Sequence, residues 1–425
     1  MSAPVPLGLL PDTATVADDE MTVIGGCRLD DLARDFGTPL FIYDEVHLRA
    51  RCREAVDAFG PERVIYATKA FLCRAMARLV HEESMLLDVA SGGELHTVLA
   101  AGVPASSCVL HGNNKSTEEL SMALAAGVRF IVVDSFDELD RLEDLVASGE
   151  RRAPVLIRVT PGVHAHTHTF IATGQDDSKF GFNLANGDAM AAVERTRASD
   201  AFDLAGVHCH IGSNVFDAAS FARAAEIMAD FAVPLDLEHL VLGGGLGVAY
   251  VDGEEAPSIT DWAESMLAAC RAAGVRSKIS VEPGRSIVAS AGVTVYTVGV
   301  IKDIAGVRTY VAVDGGMSDN PRPVLYGSGY EAYAPRLTTA SRPMAARIVG
   351  KHCESGDVLV AEARLPEGLV VGDLLCTPVT GAYGQSMGSN YNRITRPPVV
   401  FVADGEARLV VRRETYDDLL ATDLG

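Results

Sequence analysis

Val64-Ile65-Tyr66-Ala67-Thr68-Lys69-Ala70 is a short apolar run, rich in β-branched and aromatic side chains, that closes on a lysine. Such a run reads as a buried strand. Seven more like it follow: Leu86–Ser91, Cys108–Asn113, Phe130–Ser135, Val155–Pro161, Leu204–Ser213, Leu240–Gly245 and Ile279–Arg285. The gaps carry apolar residues at helical spacing, as in LRARCREAVDAF (48–59) and AAEIMADFAV (224–233). Eight strands alternating with helices over roughly 240 residues predict an α/β fold, a (β/α)8 TIM barrel with its active site at the strands' C-terminal ends.

The candidate strand ends carry Lys69, Ser91, Asn113, Asp134, Arg158, His210, Gly245, Glu282 and Arg285. A merely solvated rim would show scattered charges and glycines, so this mixture reads as one mouth. After Arg285 the pattern shifts to short alternating strands and turns, for example VTVYTVGVIKD and VVFVADGEARLVVRRE. The predicted division is a barrel over 45–290 and a β-rich domain from 1–44 and 291–425, with residues 21–43 pairing into the second domain.

Length and composition narrow the function. A chain of 425 residues with 48% hydrophobic and 6% aromatic content suits two α/β-type cores. A net charge of -21 disfavours nucleic acid or an anionic membrane as partner, so an anionic ligand must be held by local positive groups. The eight cysteines include no CxxC pair, which speaks against a zinc knuckle or redox couple. The opening MSAPVPLGLLPDTATVADDE lacks a secretory pattern, and no apolar stretch is long enough to span a bilayer. The expectation is a cytoplasmic protein with reduced thiols.

Several residues invite chemistry. Lys69, beside apolar neighbours, reads either as an exposed loop lysine or as a Schiff-base lysine whose amine is made reactive by burial. Gly243-Gly244-Gly245-Leu246-Gly247 should open a helix, where backbone N–H groups can approach a phosphate; a tight turn is the alternative. Glu282-Pro283-Gly284-Arg285 strengthens the phosphate reading, since barrels hold phosphate after strands seven and eight. Glu282 offers a carboxylate to a cofactor's ring nitrogen, His210 a ring to stack on it, and Ser213 a hydroxyl for the phosphate. His208 reads as core packing or as a hydrogen-bonded rim histidine. His164-Ala165-His166-Thr167-His168 has no matched carboxylate and sits beside a TPG loop, so no metal is expected. Residues 164–182 are long and polar enough to close over a site. Cys353-Glu354-Ser355-Gly356-Asp357 puts a thiol beside a carboxylate in a turn-rich loop.

YATKAF (66–71), DVASGGEL (88–95), HGNNKS (111–116), HCHIGS (208–213), GGGLG (243–247), EPGRS (282–286), VDGGMSDNPRPVLYG (313–327), GKHCESGD (350–357) and GAYGQSMGSNYN (381–392) resemble diaminopimelate decarboxylase motifs, in order and over nearly the whole chain. The resemblance implies an alanine-racemase-like fold with pyridoxal 5'-phosphate in the barrel mouth, bonded to Lys69. By the same resemblance His210, Ser213, Gly244, Gly245, Gly247, Glu282, Gly284, Arg285 and Tyr383 would hold the cofactor. Arg285, Arg322, Tyr326, Glu354 and Tyr383 would bind an amino-acid substrate, and Cys353 would be the proton donor. The implied activity is loss of carbon dioxide from meso-diaminopimelate to give L-lysine, by a homodimer whose CESGD loop serves the partner's site. Asn214, Gln385 and Gly388 depart from the motifs without removing a named residue. A sister decarboxylase on the same fold, acting on a basic D-amino acid or a carrier-bound acyl amino acid, is the alternative. A racemase would put a basic residue at Glu282, and a bare cofactor-binding barrel would lack the β-domain motifs.

Overall fold

A computed structural model describes residues 4–163 and 177–425. His164, His166, His168 and most of the segment expected to close the site lie outside the described residues. The chain divides into two units, one of Arg51–Val248 and Ala256–Ser286, the other of Met1–Ala50, Ala249–Glu255 and Ile287–Gly425. The junctions differ from the expected ones. The helix Glu45–Phe59 is divided, and Ala249–Glu255, an excursion after the seventh barrel strand, groups with the β-rich unit.

The first unit is a parallel barrel of eight strands: β1 (Ile65–Ala67), β2 (Leu86–Val89), β3 (Cys108–Leu110), β4 (Phe130–Val133), β5 (Ala153–Thr160), β6 (Phe202–His208), β7 (His239–Val241) and β8 (Lys278–Ser280). They pair in sequence order, and a parallel bridge from Val64 to Val281 brings the first strand back to the last. Ile65, Leu86, Val109, Val132, Leu156 and Val241, one from each of six strands, form a single buried cluster. This is the aliphatic filling that makes such a barrel a core rather than a pore. The helices start where the sequence supplies caps. Ser91 accepts from Glu94 N, Ser135 from Glu138 N, and Ser116 with Glu119 makes a full capping box. Ser91 is thus a helix cap.

Several strands are shorter than expected. The run from Val64 turns into a 3-10 segment at Thr68–Ala70, so Lys69 stands on a turn. The sixth run ends at His208 and the eighth at Ser280, leaving HIGS as a loop and Glu282-Pro283-Gly284 as the lead into the short helix Arg285–Val288. The glycine run does not open a helix; the next helix is Ile259–Ala272. Leu246 instead makes a parallel bridge to Val215.

The second unit is a mostly antiparallel eight-stranded sheet. Leu40–Asp44, all five residues buried, lies between Gly292–Ile304 and Val399–Ala403, antiparallel to one and parallel to the other. Of residues 21–43, expected to pair into this domain, Leu40–Tyr43 enter this sheet. Thr15–Val16, Thr22–Ile24 and Cys27–Arg28 form a small sheet of their own. Among the described residues no helix is long and apolar enough to cross a membrane.

Candidate active site

In a strand, residues i and i+2 share a face. Two residues beyond the aliphatic layer the barrel strands therefore present polar side chains: Asp88 after Leu86, His111 after Val109, Asp134 after Val132 and Arg158 after Leu156. His208 and Glu282 follow Gly206 and Ser280 in the same way. All six are buried. Buried charge of this density is costly unless paired, and here it is paired.

Glu282 is the hub. His208 Nε2 donates to its Oε2 at 2.9 Å, and His111 Nε2 lies 3.1 Å from its Oε1 and 3.8 Å from Asp88 Oδ1. The two imidazoles meet edge-on, 5.1 Å between centroids. Burial would raise the Glu282 pKa, yet His208 and His111 together hold it well below the usual carboxylate range. Asp88 goes the other way, pushed up to about 6 by burial, with the anion of Glu282 adding to the effect and His111 and Lys69 opposing it. His208 is pushed down to about 4, mainly by burial. Burial also acts to lower His111, but Asp88 and Glu282 raise it. The donor atoms of His111, His208 and Glu282 fall within 4.8 Å of one another, close enough for a cation, but the His208–Glu282 hydrogen bond already uses two of them.

Lys69 is exposed, so the burial expected to make its amine reactive is not present in the protein alone. Its neighbours are anchored instead. Thr68 Oγ1 donates to the Asp88 carbonyl at 2.6 Å and to Glu94 Oε2 at 3.0 Å, and Glu94 also accepts from Ala90 N. The Lys69 ammonium acts on both Asp88 and His210. His210 is driven well below its ordinary pKa, first by burial and then by Lys69 and Arg158, and is a neutral ring. Its Nδ1 accepts from Gly244 N at 3.2 Å, tying the stacking candidate to the glycine run. Arg285 Nη2 donates to Ser213 Oγ at 3.0 Å. A Cβ on Gly244 would overlap the Glu282 carbonyl oxygen, and one on Gly245, at φ +110°, that of Gly212. Bare backbone is therefore required where three loops converge. Gly247 and Gly284 are buried in the same loops.

The β-rich unit holds the other candidates. Arg322 is buried at the start of the short helix Arg322–Tyr326, its Cζ 4.3 Å above the Tyr250 ring, with Nη1 donating to Tyr330 Oη. Tyr326 is half-buried; Tyr383 is also half-buried and has φ +63°, a left-handed conformation uncommon for a bulky residue. Cys353 and Glu354 are both exposed. Their loop is pinned by buried Asp357, which accepts from Met317 N at 2.7 Å and from His352 N and Nδ1 at 2.9 and 2.8 Å. Asn392 Oδ1 accepts from Cys353 N at 2.9 Å.

A model of the family described as "Pyridoxal-dependent decarboxylase, pyridoxal binding domain" matches residues 45–289. The diaminopimelate decarboxylase of Bacillus subtilis is 49% identical over 416 residues, covering 94% of both chains. That of Mycobacterium tuberculosis is 44% identical over 434 residues, covering 97% of both. The chain belongs to the diaminopimelate decarboxylase family. Among solved structures, the diaminopimelate decarboxylase of M. jannaschii superposes with a TM-score of 0.91 at 33% identity, covering 97% of this chain and 98% of that one. The same enzyme has been solved in complex with L-lysine. A lysine/ornithine decarboxylase from Vibrio vulnificus, with a TM-score of 0.75 and 22% identity over 88% of this chain and 97% of that one, shares the fold.

The barrel fits the family's cofactor on its own geometry. Glu282 Oε1 is buried yet accepts no hydrogen bond within the protein, an acceptor suited to the N–H of a protonated ring nitrogen. With the Gly244 N–H held by His210, the convergence of Gly245, Ser213 and Arg285 offers a backbone N–H, a hydroxyl and a guanidinium, the donor set of a phosphate cradle. Sequence reasoning missed Asp88, His111, Glu94 and Lys115. The first two were readable by continuing each strand's period of two past its last aliphatic residue. Glu94 and Lys115 act on neighbouring loops, and no periodicity marks them.

Proposed function

We propose that this chain decarboxylates meso-2,6-diaminopimelate to L-lysine with pyridoxal 5'-phosphate. The observation that carries the reading is Glu282: a buried carboxylate held as an anion, with one oxygen committed to His208 and the other, beside His111, accepting no hydrogen bond within the protein. A decarboxylase needs such a group, because an anion at the ring nitrogen keeps the ring protonated. Nearly full-length relatives named diaminopimelate decarboxylase support the same conclusion. When bound, pyridoxal 5'-phosphate supplies the electron sink for the pair left behind as carbon dioxide departs.

The residues divide the work by chemical type. Lys69 would hold the cofactor through its amine, Glu282 would accept from its ring nitrogen, and neutral His210 would offer its ring to stack on it. Ser213, Gly244, Gly245, Gly247, Gly284 and Arg285 would hold the cofactor's phosphate end, and Tyr383 is a further cofactor residue by the family resemblance. At the substrate's far end a carboxylate and an ammonium remain. Arg285, Arg322, Tyr326 and Tyr383 suit the first and Glu354 the second, since guanidinium forks match carboxylates. A substrate lacking that end would leave Glu354 and the arginines unpaired, which favours diaminopimelate over a simpler amino acid. The Cys353 thiol returns a proton to the carbon that lost carbon dioxide.

The working form is a homodimer in the cytoplasm, in which the exposed Cys353–Glu354 loop serves the partner's site. The decisive assay is incubation with meso-diaminopimelate, which should release carbon dioxide and lysine in equal amounts. Turnover of another amino acid without lysine from this one would reject the assignment. Mixing inactive Lys69→Ala and Cys353→Ala chains should restore activity; no rescue would reject the shared site.

A further inference from the structure

Glu282 has to remain an anion inside a barrel, and burial alone opposes that. The two imidazoles beside it do different things. His208 Nδ1 is buried and has no partner, so this ring carries a single proton, on the Nε2 that donates to Glu282 Oε2. A second proton would be a buried N–H with nowhere to go. His111 is not aligned for a hydrogen bond to Oε1, 3.1 Å away, yet it faces two carboxylates, Glu282 and Asp88. The opposing cation is Arg158, which acts on both rings, and Lys69 acts on Asp88. The pKa directions agree with this division, His208 down and His111 up.

We propose that His208 and His111 are positioning residues for Glu282: neutral His208 fixes the carboxylate's orientation through Oε2, while His111 compensates its charge beside Oε1 without a hydrogen bond to it, so that the carboxylate keeps acceptor capacity for the cofactor's ring N–H. Neither imidazole needs to touch the cofactor; both act through Glu282. The inference rests on the reading that Glu282 faces the ring nitrogen. The sequence places the pair by one rule, since His111 and His208 each stand two residues past an inward-facing position of their strand.

The test is a pair of backgrounds. His208→Gln and His111→Gln are made in the wild-type chain and in Glu282→Gln. Lysine formation gives kcat and KM, and absorbance titration of the apoprotein with pyridoxal 5'-phosphate gives cofactor affinity. In the wild-type background each change should lower kcat by about tenfold or more with KM within about twofold, the scale of one lost charge-assisted hydrogen bond. In the Glu282→Gln background the same changes should move kcat by less than about twofold, because the group they act through is gone. Equal losses in both backgrounds would overturn the proposal and mark the histidines as structural. A Glu282→Gln chain with wild-type kcat would instead overturn the ring-nitrogen reading beneath it. Nitrogen-15 spectra of the apoprotein supply a readout independent of turnover. His208 should show one proton, on Nε2, from pH 6 to 8, and a doubly protonated ring at pH 7 would refute its assigned role. If His208→Gln does not fold, His111→Gln in the same two backgrounds carries the test.

Discussion

Lys115 offers the sharpest stability test in the barrel. Its ammonium is buried, and Nζ donates to the carbonyls of Gly112 at 2.7 Å and Val132 at 2.6 Å and to Glu138 Oε1 at 2.7 Å. Glu138 Oε2 accepts from Asp134 N at 3.3 Å. Lys115→Met keeps the aliphatic stem and removes the charge, leaving a buried carboxylate uncompensated. Breaking such a pair costs about 3–5 kcal/mol, and the two orphaned carbonyls place this site toward the upper end. The pH dependence has a definite sign. Burial already raises the Glu138 pKa, with Lys115 opposing. Without Lys115 the carboxyl rises further, so the folded state binds its proton more readily than the unfolded one. The loss is then smallest near and below the ordinary carboxylate pKa of about 4.3 and grows as pH rises through the elevated folded value. Trp262, the chain's single tryptophan, is fully buried in the helix Ile259–Ala272, so its fluorescence in urea follows the barrel unit alone. Removing the charge at both ends, as Lys115→Met with Glu138→Leu, should recover most of the stability. A single variant within about 1 kcal/mol of wild type, or a loss that does not change between pH 5 and 8, would refute the reasoning.

Gly244→Ala should weaken pyridoxal 5'-phosphate binding by about tenfold or more in an absorbance titration, because its Cβ collides with the Glu282 carbonyl; unchanged affinity would show that the loops can spread. Tyr330→Phe removes the hydroxyl that accepts from Arg322 and should raise KM for meso-diaminopimelate several-fold, on the order of one lost charged hydrogen bond, with kcat unchanged. Asp357→Ala strips the acceptor from Met317 N and from both His352 donors. It should lower stability by about 2–4 kcal/mol, slow turnover and speed amide exchange at Met317 and His352, read by mass spectrometry.

The barrel was legible because its strands are buried on both faces and stand out as apolar runs, and the site because Lys69, Glu282 and Arg285 fall at their ends. What the sequence concealed is where each run stops being a strand. Lys69 looks continuous with Val64–Ala67, yet the chain turns at Thr68, whose hydroxyl is drawn to Asp88 and Glu94 far along the chain. That turn carries Lys69 into the open, the exposed one of the two placements its sequence allows. The glycine run misled for a related reason. Its glycines answer to the approach of Glu282 and Gly212 rather than to a helix start, and a close approach of distant backbone leaves no local pattern. Asp88 and His111 did leave one, the simple alternation of a strand, hidden because their neighbours in sequence are apolar.

The position of Leu40–Asp44 has a consequence for how the chain is made. One of its two neighbouring strands is Val399–Ala403, so about 355 residues are synthesised between the two. At ribosomal rates of about 5–20 residues per second that is a wait of roughly 20–70 s, during which the segment can pair with Gly292–Ile304 once that strand is made while its other edge stays open. The barrel strands, by contrast, pair with sequence neighbours and can form as they emerge. Leu40–Asp44 is therefore made well before either strand that flanks it. Until both flanking strands are made, the nascent chain carries an open apolar edge there, a target for a chaperone that binds extended apolar segments.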